Sequence, residues 1–267
     1  MKKVIVITGA SSGIGRATAR MMADKGHTVY DLSRSDKPQD GVVHIGCDVT
    51  SRTAIASAIS QIAETEGRID VLVLCAGMGI AGSVEFTREE DMQRQFDVNV
   101  YGPIRVIQAA LPLMRTQEMG NKERGRIVFV SSMAAIFSLP FQSMYSATKS
   151  ALNAFAFALK NELKKYNITV SSVLPGNVNT GFGTARHINP AGSEVYPNMH
   201  AAIGQMEQEE DKGMTPETVA RKVVKACLKR KPRLYYTSDF ISDLEYLGRR
   251  LLPTWLATKV VGKMYKC

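Results

Sequence analysis

None of the four cysteines, Cys47, Cys75, Cys227 and Cys267, has a partner at CxxC spacing. That argues against a zinc site and a disulfide framework, and it points to a reducing cytoplasm. No apolar run approaches the roughly 18 residues a membrane span needs, because charge or glycine interrupts each one. The first apolar run, from Val4 to Ile7, is too short for a signal-peptide core and leads into a glycine-rich turn. Repeats, low-complexity tracts and Pro/Ser-rich linkers are missing as well. The 267 residues therefore read as one α/β domain, and 45% apolar with 22% charged residues leaves no case for disorder. Net charge is also missing from most of the chain: residues 1–211 hold 21 Lys+Arg and 21 Asp+Glu. The formal +9 lies wholly in residues 212–267, with 13 cationic and 4 acidic side chains. A charge-balanced body excludes a dedicated nucleic-acid binder and leaves a small molecule as the expected partner.

What is present is alternation. Short Val/Ile/Leu-rich runs at 4–8, 28–32, 42–46, 71–74, 126–130, 169–174 and 233–236 predict strands, with helical patterns at 14–25, 51–66, 88–116, 145–165 and 216–230. Near-continuous apolar strands suit a parallel sheet buried on both faces. The expectation is a Rossmann-type, doubly wound, parallel seven-stranded sheet with helices on both faces. The catalytic domain spans 1–238. Within it, 181–213 reads as an irregular lid beyond a strand's carboxyl end, where such sheets place ligands. Residues 239–267 form a basic amphipathic extension that Pro253 should break in two.

Thr8-Gly9-Ala10-Ser11-Ser12-Gly13-Ile14-Gly15 joins the first strand to the first helix. Its glycines permit a sharp turn and close approach of a pyrophosphate, which the helix N-terminus then faces. At the second strand's end stands neutral Ser33, followed by Arg34. A guanidinium there engages a 2′-phosphate, so NADP(H) is favoured over NAD(H). Asp31, the acidic counter-candidate, falls two residues early and should lie inside the strand. Asp48 and Val49 follow the third strand, where a carboxylate can reach the adenine amino group or, equally, Asp48 or Thr50 can cap the next helix. Ala76 and Gly77 supply small residues beside the cofactor cleft.

Tyr145 and Lys149 are four apart on a predicted helix and so share a face. A cation there is expected to move the phenol's pKa down toward neutrality, where it can exchange protons with an alcohol or ketone. Ser131 and Ser132 end the preceding strand and compete for the role of substrate hydroxyl. Asn99 lies mid-helix, where asparagine is a poor helix former, and a backbone or water role would explain it.

In this order the residues resemble the short-chain dehydrogenase/reductase (SDR) family over nearly the whole chain. Thr8–Gly15 resembles its TGxxxGxG turn, Asn99 its helix asparagine, Ser132 its serine, and Tyr145/Lys149 its YxxxK pair. Pro175, Gly176, Val178 and Thr180 lie in a stretch that resembles its PG motif, whose threonine holds the nicotinamide amide. The resemblance implies that Tyr145 is the general acid/base and that Lys149 lowers its pKa and binds the nicotinamide ribose. It further implies that Ser132 polarises the carbonyl and that Asn99 holds a water relaying protons to Lys149. Two departures stand out. The family's NNAG motif is here Leu74-Cys75-Ala76-Gly77, which leaves local hydrogen bonding open. The long basic tail replaces the short terminal strand on which the family's tetramer is built, and the family's long helices, here 88–116 and 145–165, imply a homodimer.

Phe137, Leu139, Phe141 and Met144, with Phe182, His187, Tyr196, Met199 and Met206 of the lid, suggest an apolar carbonyl or secondary-alcohol substrate. The same residues would equally serve to pack the lid. For the tail, covering the cleft is favoured over contact with a membrane surface. A dinucleotide-sensing regulator without turnover is the rival reading, and it has no need of the Asn/Ser/Tyr/Lys set.

Overall fold

The computed structural model describes residues 2–119 and 123–267. Strands β1 (Val4–Thr8), β2 (Thr28–Ser33), β3 (Val42–Gly46), β4 (Val71–Leu74), β6 (Gly125–Val130), β7 (Ile168–Leu174) and β9 (Tyr235–Thr237) form a seven-stranded sheet in the order β3-β2-β1-β4-β6-β7-β9. Every pairing in it is parallel.

The central strands are largely apolar because both faces of the sheet are covered. Alternate residues point opposite ways, so Val4, Val6, Leu72, Leu74, Ile127 and Phe129 join one core cluster, while Ile5, Ile7, Val71, Val73, Val128 and Val130 join the other. Helices α2 (Arg52–Glu66), α4 (Gly102–Thr116) and α5 (Ser143–Glu162) close the first cluster. The second is closed by α1 (Gly13–Ala23) and α7 (Pro216–Leu228). The chain reverses direction across the sheet between β1 and β4, which puts the carboxyl ends of those strands at the point where such folds bind ligands.

Three features depart from the expected pattern. The helix expected over 88–116 is α3 (Glu89–Phe96) and α4 joined by a π-helical turn at Asp97–Tyr101, with Asn99 at its centre. The lid is not irregular throughout: it contains α6 (Met199–Asp211), whose buried residues Met199, Ala202, Ile203 and Met206 lie at helical spacing. The acidic run Glu207–Asp211 at its end masks that stripe in the sequence. A second small sheet pairs β5 (Ile80–Ala81) with β8 (His187–Ile188), and strands of two residues carry no readable periodicity. The extension folds as α8 (Phe240–Leu251) and α9 (Thr254–Met264), parted at Pro253 as expected. Among the described residues, no helix is long and apolar enough to cross a membrane.

Candidate active site

The glycine turn is held in shape by side chains that arrive from elsewhere. Gly9 has φ 73°, and a Cβ built there would lie 2.9 Å from Ala76 Cα. At Gly15 a Cβ would meet the Gly9 carbonyl oxygen at 2.3 Å. Only glycine fits either position. The Ala10 peptide is clamped on both sides: its N–H donates to Asp31 Oδ1 at 2.8 Å and its carbonyl accepts from Gln39 Nε2 at 2.8 Å. Ser12 precedes α1 in extended conformation with no side-chain cap, so the first N–H groups of that helix are left for an anion. These are the properties a pyrophosphate site requires, and a dinucleotide fits them.

Asp31 does lie inside β2, buried, as its position suggests. Its second oxygen accepts from Ser33 Oγ at 2.7 Å and sits 3.0 Å from His44 Nδ1. The carboxylate is therefore spent on the turn and the strand. Arg34 follows on the rim of the cleft with Lys37. Asp48 also lines the cleft but does not cap α2, a role taken by Ser51, which accepts from Ala54 N–H at 3.2 Å. Burial alone would raise the Asp48 carboxyl, but the Thr50 amide and hydroxyl, with Arg34, hold it below the usual carboxylate range. The asparagines missing before Ala76 are not needed to tie β4 to β1. Thr8 Oγ1 accepts from the N–H groups of both Cys75 and Ala76 at 3.1 Å.

Asn99 is fully buried, and its side chain is used up. Oδ1 accepts from Met78 N–H at 2.8 Å, while Nδ2 donates to the Met78 carbonyl at 2.8 Å and to Thr148 Oγ1 at 3.1 Å. The backbone role expected of it is thus visible: it locks the loop after β4 to α5. The two serines also separate. Ser131 donates to the Lys149 carbonyl at 3.0 Å and braces the helix. Ser132 accepts from Ala134 N–H at 3.0 Å and lines the cleft with Tyr145.

The acidity of the pair differs from the sequence expectation. Burial pushes the Tyr145 phenol up to about 12, against the opposing pull of nearby Ser132. Lys149, itself buried, is pushed down to about 8 by the same loss of water. Its Nζ donates to the Val130 carbonyl at 3.0 Å and stands 5.6 Å from the centroid of the Tyr145 ring. The cation is thus one helical turn from the phenol and anchored to β6, so desolvation outweighs it.

All the expected cofactor residues (Gly9, Ser11, Ser12, Gly13, Ile14, Gly15, Ser33, Arg34, Asp48, Val49, Ala76, Gly77, Pro175, Gly176, Val178 and Thr180) line one cleft of about 1830 Å³ together with Ser132, Tyr145 and Lys149. Thr180 and Gly13, far apart in sequence, meet there: a Cβ on Gly13 would touch Thr180 at 3.4 Å. Of Phe182, His187, Tyr196, Met199 and Met206, the cleft is lined by Phe182, its ring 5.6 Å from that of Tyr145. Tyr196 instead packs edge-on to Phe86 and Phe141 and donates to Glu85 at 2.8 Å. Met199 and Met206 are buried in the lid's own clusters, and His187 is exposed. These side chains pack the lid rather than line a substrate site.

One contribution was not legible in the sequence. Buried Arg186 pairs with Glu210 of α6, and both charges reach Tyr145, the carboxylate raising and the guanidinium lowering its pKa. From the tail, Ile241, Val260 and Met264 line the cleft, so the extension does cover it. Tyr265 secures that cover by packing on Ala202 and Met206 and hydrogen-bonding Glu209 at 3.2 Å.

A family model described as short chain dehydrogenase matches residues 3–190. The chain is 36% identical over 234 residues to a 3-ketodihydrosphingosine reductase of Bacteroides thetaiotaomicron, covering 86% of this chain and 85% of that one. It is 30% identical to the dehydrogenase/reductase SDR family member 7B of Xenopus tropicalis, over 94% of this chain and 82% of the relative. A short-chain dehydrogenase from Streptomyces avermitilis superposes with a TM-score of 0.80 at 29% identity, covering 99% and 96% of the two chains. The match to the family model spans the turn, the π-helical asparagine, the serine strand and the tyrosine helix, and so the chain belongs to the short-chain dehydrogenase/reductase family of oxidoreductases.

Proposed function

We propose that the protein is an NADP(H)-dependent reductase of an apolar ketone. The observation that carries this reading is that Ser132, Tyr145 and Lys149 line the same cleft as the glycine turn. Bound NADPH would supply the hydride to the carbonyl carbon. Ser132 donates to the carbonyl oxygen, and Tyr145 gives that oxygen its phenolic proton as negative charge develops there. A phenol held near 12 is protonated at neutral pH yet remains far more acidic than an alcohol, so it suits the reducing direction. Lys149 keeps a positive charge one turn away from the phenolate left behind. With the Asn99 side chain committed to Met78 and Thr148, a water relay to Lys149 falls to its main-chain carbonyl.

Three observations support NADP(H): neutral Ser33 at the strand end, the committed Asp31 carboxylate, and Arg34 and Lys37 on the rim. Phe137, Leu139, Met144 and Phe182 make the substrate side apolar, and the Bacteroides relative is named for reduction of a ketone. Exposed Phe155 and Phe157 on α5 support a homodimer, and the free cysteines fit the reducing cytoplasm expected for it.

A panel of aliphatic and cyclic ketones, run with NADPH and NADH side by side, tests the reading. The expected result is NADPH oxidation with apolar ketones, falling by roughly 10²–10⁴ in Tyr145→Phe while NADPH binding persists. Undiminished turnover in Tyr145→Phe overturns the mechanism.

A further inference from the structure

Helix α8 is mounted with its apolar side outward. Phe240, Ile241, Leu244, Leu247 and Leu251 recur along one face, and all are exposed, Phe240 at 80% and Leu251 at 74%. The residue of α8 that is buried is a serine, Ser242, whose hydroxyl lies 3.3 Å from that of Ser238. The Asp239 carboxylate caps the helix by accepting from Ser242 N–H at 2.8 Å. A helix normally buries its apolar stripe; here polar contacts hold it and the stripe faces solvent. Helix α9 continues the surface with Trp255, 67% exposed, and Val260 and Met264. Large apolar side chains left exposed on two consecutive helices mark an interaction site.

Charge selects the occupant. From residue 249 to 267 the chain carries Arg249, Arg250, Lys259, Lys263 and Lys266 and no Asp or Glu. A second copy brought face to face would set these cations against their equivalents. An anionic bilayer instead neutralises them while its acyl region takes the leucines and the tryptophan. Neither helix is long and apolar enough to cross a membrane, so both would lie on the surface. Ile241, Val260 and Met264 belong to this face and also line the cleft, so the patch runs into the cleft mouth.

We propose that α8 and α9 dock the protein on an anionic membrane surface, with the cleft mouth at the lipid. The docking surface stands on its own residues and does not depend on the ketone assignment. Its test is sedimentation of the full chain, without substrate, with vesicles of equal parts phosphatidylcholine and phosphatidylglycerol and with vesicles of phosphatidylcholine alone. The expected result is co-sedimentation with the anionic vesicles, weakened by salt and lost in Leu247→Ser/Leu251→Ser/Trp255→Ser. Those three side chains are exposed and outside the cleft, so the fold and turnover of a small soluble ketone should persist in the variant. Arg249→Gln and Lys259→Gln should each weaken binding roughly fivefold. Absence of binding, equal binding to neutral vesicles, or binding unaffected by the triple variant overturns the proposal. So does a concentration-dependent dimer that the triple variant dissolves without any vesicle binding, which would assign the face to a second copy.

Discussion

Lys149 hydrogen-bonds the Val130 carbonyl at 3.0 Å, and this contact anchors its ammonium group to the end of β6 rather than to the Tyr145 hydroxyl. Lys149 is buried and Tyr145 half-buried on the same face of α5, and loss of water drives each toward its neutral form: the amine down to about 8, the phenol up to about 12. A buried cation and a half-buried acid held this way leave a signature in the pH dependence of stability.

Between pH 8 and 10 the unfolded chain keeps the Lys149 proton that the folded chain has released. Stability therefore rises with pH through that window. Tyr145 acts oppositely, but only above pH 10, where the folded state retains a proton the unfolded state has lost. Wild type should gain about 2 kcal/mol over Lys149→Met between pH 8 and 10. Urea midpoints of both proteins at the two pH values measure it, and parallel profiles would show that Lys149 keeps an ordinary pKa.

Arg34 stands beside the cleft where the strand end offers no carboxylate to ribose hydroxyls. Replacing it in Arg34→Ser removes a charge-assisted contact to a 2′-phosphate, of about 1.5–3 kcal/mol. The preference for NADPH over NADH should shift by roughly 10- to 100-fold toward NADH, through KM for NADPH. An unchanged KM for NADPH would mean that the phosphate is held elsewhere.

Gly15 admits no side chain, because its Cβ would meet backbone atoms of Gly9 at 2.3 and 2.9 Å. Gly15→Ala is expected to lose roughly 1–3 kcal/mol of stability and to abolish dinucleotide binding. Gly46, at the end of β3, has no atom within 4 Å of the place a Cβ would take, so Gly46→Ala should stay within about 0.5 kcal/mol. Thermal unfolding and cofactor titration of the two variants make the comparison, and equal behaviour would contradict the cradle geometry.

Much of this molecule is legible in its order of residues. The main strands announce themselves because a strand buried on both faces is apolar at most positions, with no polar alternation to break the run. The glycine turn and the Tyr145/Lys149 spacing are visible for a similar reason, since each is a short-range pattern fixed by backbone geometry. Helix α6 is hidden because its apolar stripe runs into the acids of residues 207–211. The β5–β8 pair is hidden because two residues display no period.

Local periodicity and steric demand, which are properties of neighbours along the chain, determined the fold class, the cofactor turn and the candidate catalytic residues. Tertiary structure decided what those residues are free to do. It committed Asp31 to the Ala10 amide, Ser131 to the Lys149 carbonyl and Asn99 to Met78, leaving Ser132 in the cleft with Tyr145. It also set the acidity of Tyr145 and Lys149 and the outward face of α8. Desolvation and hydrogen-bond competition depend on groups tens of residues away, and no spacing in the sequence records which of them arrives.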